Sequence, residues 1–102
     1  MAISDVILKG NVYHALDEKN KEISRDFSNT TGELLGFNSN FMLFKRDKMY
    51  YTRDEKFKEI ARDFISTLGE FRSISGLTTN FERDKMIYTR DVKLKEISRR
   101  FK

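Results

Sequence analysis

Three observations point to an all-β chain built from repeated antiparallel units. The first is a period: Ile23, Ile60 and Ile97 stand 37 residues apart, and so do Phe27, Phe64 and Phe101. The second is the pattern inside a unit, where an aromatic and apolar run, a two-residue polar pair and a Tyr-rich run follow one another in NFMLFKRDKMYYTRD at 40–54. That order is the signature of a β-hairpin. The third is that the least helical copy must share the fold of the others, and its tail reads as two strands joined by a turn. Units of three to four antiparallel strands follow, in a propeller-blade-like or trefoil-like arrangement.

The units run 4–27, 28–64 and 65–101 within one domain, and 102 residues suffice for one modest core. The first unit starts near Ser4, opposite Phe41, and lacks the counterpart of TTGELLGF at 30–37. It therefore holds three strands where the others hold four. GELLGF and GEFRSISG, bounded by Gly and rich in Leu, Phe and Ile, supply the opening strand of the second and third units. The hairpin turns are Gly10-Asn11, Asp47-Lys48 and Asp84-Lys85. With no proline in the chain, such turns depend on Gly, Asn and Asp.

The tail of the unit admits two readings. Phe57, Ile60, Ala61, Phe64, Ile65 and Leu68 fall on one helical face, with Thr52 or Asp54 as N-cap and Gly69 as stop. On that basis 54–68 forms a helix and the fold is α+β, a ββα unit repeated three times. The first copy favours the strand reading, because Asn20 replaces Phe57, Ser28 replaces Ile65, and Asn29-Thr30-Thr31 follows. There the chain reads as strand, turn at DEKNK with Asn20 left-handed, and strand KEISRDF.

GNVYHALDEKNKEIS, GELLGFNSNFMLFKRDKMYYTRDEKFKEIA and RDKMIYTRDVKLKEISRRF together resemble small uncharacterised bacterial repeat proteins whose units run Tyr-Thr-Tyr-Asp, a short turn and Lys-Lys-Ile-Ser. They resemble propeller blades more distantly. Where that group has Tyr-Asp, this chain has Arg53-Asp54 and Arg90-Asp91, and Phe57 and Leu94 stand in place of the turn Asn or Gly. The resemblance implies four strands per unit and brings no activity with it.

Apolar residues on both sides of a strand, such as Met49 and Tyr51 against Tyr50, suit sheets packed face to face. Three such units do not close a ring, whereas two chains supply six. A homodimer or a higher closed homo-oligomer is expected, with the edge of the incomplete first unit near the contact.

Composition excludes more than it specifies. Charged residues form 35% of the chain and aromatics 13%, which argues for a folded domain with a charged surface. The net charge of +4 is spread among alternating signs, as in TRDEKFKE, so a self-compensated surface outweighs a dedicated phosphate-binding face. There is no cysteine, and hence no disulfide framework or thiolate metal site. Neither a long apolar run nor a basic leader followed by an apolar stretch opens the chain, so a cytoplasmic location away from membranes is expected.

No pattern carries a reaction. His14 is the single histidine, and its counterparts Tyr51 and Tyr88 mark a strand packing position; no metal or other cofactor is expected. Asp17, Asp54 and Asp91 each precede a Glu by five residues, but these carboxylates sit among Lys and Arg, which suits turns better than acid/base work. A non-enzymatic scaffold that self-associates and binds a protein or carbohydrate partner is the leading expectation. Its candidate contacts are Tyr51, Arg53 and Asp54, then Tyr88, Arg90 and Asp91, and in part His14 and Asp17. Repeated Tyr and Arg make nucleic-acid binding an alternative, and a small inhibitor or immunity protein a third. Arg25, Arg62 and Arg99, kept in every unit, are expected in buried or inter-unit ion pairs.

Overall fold

The computed structural model describes residues 2–102. These residues form eleven strands and two single-turn helices. The first sheet is a meander of β1 (Asp5–Lys9), β2 (Val12–Leu16) and β3 (Glu22–Phe27). After the helical turn α1 (Ser28–Thr31), the second sheet runs β4 (Glu33–Phe37), β5 (Met42–Arg46), β6 (Met49–Arg53) and β7 (Glu59–Phe64). A second turn α2 (Ile65–Leu68) leads to β8 (Glu70–Ser75), β9 (Thr78–Arg83), β10 (Met86–Asp91) and β11 (Glu96–Phe101) of the third sheet. The protein is all-β, with one antiparallel sheet for each repeated unit.

The helix over 54–68, and with it the repeated ββα unit, does not form. Residues 59–64 pair with β6, and only 65–68 make one helical turn. The apolar periodicity that suggested a helix instead places Phe57 and Leu68 in the gaps between sheets, where each is buried. The turn before β7 places Phe57 at φ 62°, and Leu94 and Asn20 share that left-handed value at the same point of their units. Asn20 adopts it at little cost, whereas Phe57 and Leu94 offset the strain with side chains buried to 3% exposure.

The sheets lie in a row. Val6, Tyr13 and Ala15 of the first sheet share a core with Met42, Phe44, Tyr51 and Phe57 of the second. Leu43, Tyr50 and Leu68 of the second share a separate core with Phe81 and Leu94 of the third. Successive residues of β5 and β6 thus point to opposite neighbours, which explains the unbroken buried runs 41–44 and 50–53. Polar links repeat at both junctions. Tyr13 Oη accepts the Leu34 N–H, and Tyr50 Oη donates to Gly69 O at 2.8 Å. Ser24 Oγ donates to Glu55 O, and Thr52 Oγ1 to Val92 O at 2.6 Å, so each sheet grips the turn of the next.

Gly32 and Gly69 end the helical turns at φ 93°, ψ −157°, a conformation open only to glycine. A Cβ at Gly32 would lie 2.5 Å from Lys45 O, and one at Gly69 would meet Glu82 O. These two positions let the chain leave one sheet and start the next without a gap.

Candidate functional site

The recurring acidic positions are turn-builders. Asp17 Oδ1 accepts the N–H of Lys19 and Lys21, Asp54 that of Lys56 and Lys58, and Asp91 that of Lys93 and Lys95. The Lys21 N–H foremost, with the Lys19 N–H, holds the Asp17 carboxyl below its usual range. The glutamates five residues on are held by the arginine three residues further along their own strand: Glu22 by Arg25, Glu59 by Arg62 and Glu96 by Arg99, each at 2.9 Å. These pairs are intra-unit and their arginines exposed, so the buried or inter-unit pairing expected of Arg25, Arg62 and Arg99 is not the one observed.

Arg53 and Arg90 turn inward. Arg53 is 9% exposed, and its Nη1 donates to Phe57 O at 2.8 Å, clasping the left-handed turn. Arg90 repeats the bond to Leu94 O at 2.9 Å. At the equivalent point of the first unit stands Leu16. His14 replaces the tyrosine there; its Nδ1 lies 2.6 Å from Glu22 Oε1, and His14 foremost, then Arg25, keeps the Glu22 carboxyl below its usual range.

Tyr51 and Tyr88 are the centres of the most distinctive constellation. The guanidinium carbons of Arg46, Arg53 and Arg62 lie 5.5, 5.6 and 5.2 Å from the Tyr51 ring centre. Around Tyr88, those of Arg83, Arg90 and Arg99 lie at 5.2, 5.9 and 5.2 Å. Arg46 and Arg83 also clamp the helical turns, donating to Thr30 O and Thr67 O. Both were overlooked as site residues in the sequence, although their own 37-residue spacing beside the tyrosines marked them. The fold thus joins Tyr51 to Arg53 and Tyr88 to Arg90, while Asp17, Asp54 and Asp91 serve the adjoining turns and His14 lies in the first sheet.

A second repeated feature is apolar. Phe27, Phe64 and Phe101, on the edge strands β3, β7 and β11, are 59%, 54% and 82% exposed. Each shares a strand face with the arginine two residues before it. Beside Phe64, a shallow groove is lined by Lys45, Lys48 and Ile65.

The two outer faces of the row differ. On the third sheet Asn80, Thr89 and Ser73 form a hydrogen-bonded ladder, with Thr89 Oγ1 donating to Asn80 Oδ1 and Asn80 Nδ2 to Ser73 Oγ. Glu82 binds Arg72 at 2.7 Å and Lys102 at 3.0 Å on the same face. Lys102 foremost, then Arg72, lowers the Glu82 pKa. In the second sheet the positions of Asn80 and Arg72 are Leu43 and Leu35, which pack on the third sheet. The outer face of the first sheet is more apolar: Ile7, Val12 and Leu16, all half-buried, lie beside the His14–Glu22–Arg25 cluster.

Among the described residues, no group of three or more His, Cys, Asp or Glu could hold a metal ion, and no helix is long and apolar enough to cross a membrane. No family model, curated protein or solved structure matches the chain.

Proposed function

We propose that the protein is a non-enzymatic β-repeat scaffold that self-associates through the outer face of its first sheet, where Phe27 lies beside Val12, and offers the Phe64 and Phe101 edges to a protein partner. The observation that carries this reading is the contrast between its two ends. A row of sheets needs a polar face wherever it stops; the third sheet ends in a hydrogen-bonded ladder, whereas the first sets a single polar cluster, His14, Glu22 and Arg25, beside Ile7, Val12 and Leu16. The first sheet presents Ile7, Val12 and Leu16 at the positions of Phe44, Met49 and Arg53, or Phe81, Met86 and Arg90, of which Phe44, Phe81 and Arg53 are buried.

A second copy is the occupant that suits this face. Lys9 and Asp5 lie at opposite ends of β1, so a twofold arrangement with the strands antiparallel sets each lysine against the other chain's aspartate. The dimer is then a row of six sheets with a polar ladder at each end. Sedimentation velocity across a concentration series tests it. The unmodified chain should sediment as a dimer at high micromolar concentration, and Ile7→Glu with Leu16→Arg should leave a folded monomer. Arginine already occupies the position of Leu16 in the other units, so loss of folding is not the expected result. A strict monomer at high micromolar concentration overturns the reading.

A further inference from the structure

The protein carries excess positive charge at two equivalent places. Among the described residues, Arg62 is neutralised by Glu59 and Arg99 by Glu96, but Arg46, Arg53 and Arg90 face no carboxylate. Arg83 has only Asp84 at 3.9 Å, and that side chain is solvent-exposed. Arg46 Nε, Arg53 Nε, Arg83 Nε and Arg90 Nε are buried and have no hydrogen-bond partner. The same two atoms are thus left unpaired in each of two units, and buried polar groups of that kind call for an explanation.

The tyrosines add a second, independent sign. Tyr51 is 5% exposed, yet the only partner of its hydroxyl is the Met49 thioether at 3.9 Å, a weak acceptor. Tyr88, 6% exposed, has no hydroxyl partner among the described residues, and its oxygen is open to solvent. A buried phenol normally finds a strong one, as Tyr50 does at Gly69 O. The Tyr51 hydroxyl lies on the Met49 side of its ring. Arg46 stands opposite Met49 on β5 and Arg62 opposite Tyr51 on β7, with guanidinium carbons 5.5 and 5.2 Å from the Tyr51 ring centre. Positive charge thus gathers around the ring in excess of Glu59, the carboxylate that pairs with Arg62.

We infer that Tyr51 with Arg46 and Arg62, and Tyr88 with Arg83 and Arg99, form two oxyanion sites of the kind that take a phosphate group. Planar guanidiniums match the paired oxygens of a phosphate, and a phenolic O–H supplies a further donor. Arg53 and Arg90, lying against the tyrosine rings, raise the local potential and hold the rings in place. The first sheet has no third site, because Lys9, His14 and Leu16 stand where the other units have the two unpaired arginines and the tyrosine. The stoichiometry is therefore two per chain, which a general attraction to the net charge of +4 would not reproduce.

Calorimetric titration with inorganic pyrophosphate at low ionic strength tests the inference, with tyrosine fluorescence as a second readout, since the chain has four Tyr and no Trp. Two equivalents should bind saturably. Tyr51→Phe with Tyr88→Phe, which leaves packing intact, should weaken binding about tenfold or more, the usual effect of one hydrogen bond to a charged group. Arg46→Gln with Arg83→Gln should weaken it further, with far-UV circular dichroism confirming the fold. A parallel titration with a short oligothymidylate identifies the source of the phosphate. Competition at the same residues and tighter binding point to a polymer, and pyrophosphate binding alone points to a free ion. Absence of saturable pyrophosphate binding overturns the inference, and so does unchanged affinity in both double variants.

Discussion

At the scale of single residues, glycine and aspartate do the work that only they can do. Gly69→Ala places a Cβ against Glu82 O in a backbone region closed to other residues, and should lower the unfolding free energy by about 2 kcal/mol or more in a urea melt. Gly10→Ala meets nothing within 4 Å and bears only the cost of φ 58°, about 1 kcal/mol. Asp17 predicts a pH effect of definite sign. Its pKa is lowered in the folded chain, so its contribution is complete above the unfolded value and is lost as pH falls through the folded one. The urea midpoint of the unmodified chain should therefore fall in acid more steeply than that of Asp17→Asn, and parallel pH profiles would refute this. The turn role of Asp17, Asp54 and Asp91 was legible in their spacing. The inward turn of Arg53 was not, because its partner is a backbone carbonyl, which no side-chain pattern announces.

At the scale of elements, the tail hairpin shows a local rule overridden by packing. Helical periodicity over 54–68 is genuine, but an isolated helix of that length is marginal, and its apolar residues gain more between two sheets than along one helix face. Phe57 is the pivot. Phe57→Ala should cost about 3 kcal/mol, and Phe57→Asn somewhat less because asparagine tolerates the left-handed turn, both measured by urea denaturation. Arg53→Leu copies Leu16 of the first unit and should shift stability by about 1 kcal/mol or less; unfolding of that variant would show that the clasp on Phe57 O is essential. The hairpin was recoverable only by weighing the three copies together, since Asn20 discloses the turn that Phe57 and Leu94 conceal.

At the scale of the whole molecule, three sheets in a row give the middle one a different status from its neighbours. Both faces of β5 and β6 are buried, so their amides should exchange with deuterated solvent more slowly than those of β1–β3 or β11, and uniform exchange would contradict this order. The polar ladder should likewise control growth of the row. Arg72→Leu with Asn80→Leu restores the residues of the second sheet, and should add association at the third sheet that light scattering detects. Sequence alone determined the repeat period, the strand content and the turn positions, because these depend on local spacing and on residues that tolerate special backbone angles. Tertiary structure alone decided which face of each strand meets which sheet, and therefore that Tyr50 crosses to the next unit while Tyr51 gathers three arginines. One residue of offset sends a strand side chain to the opposite face, and that choice is settled by the neighbouring sheet.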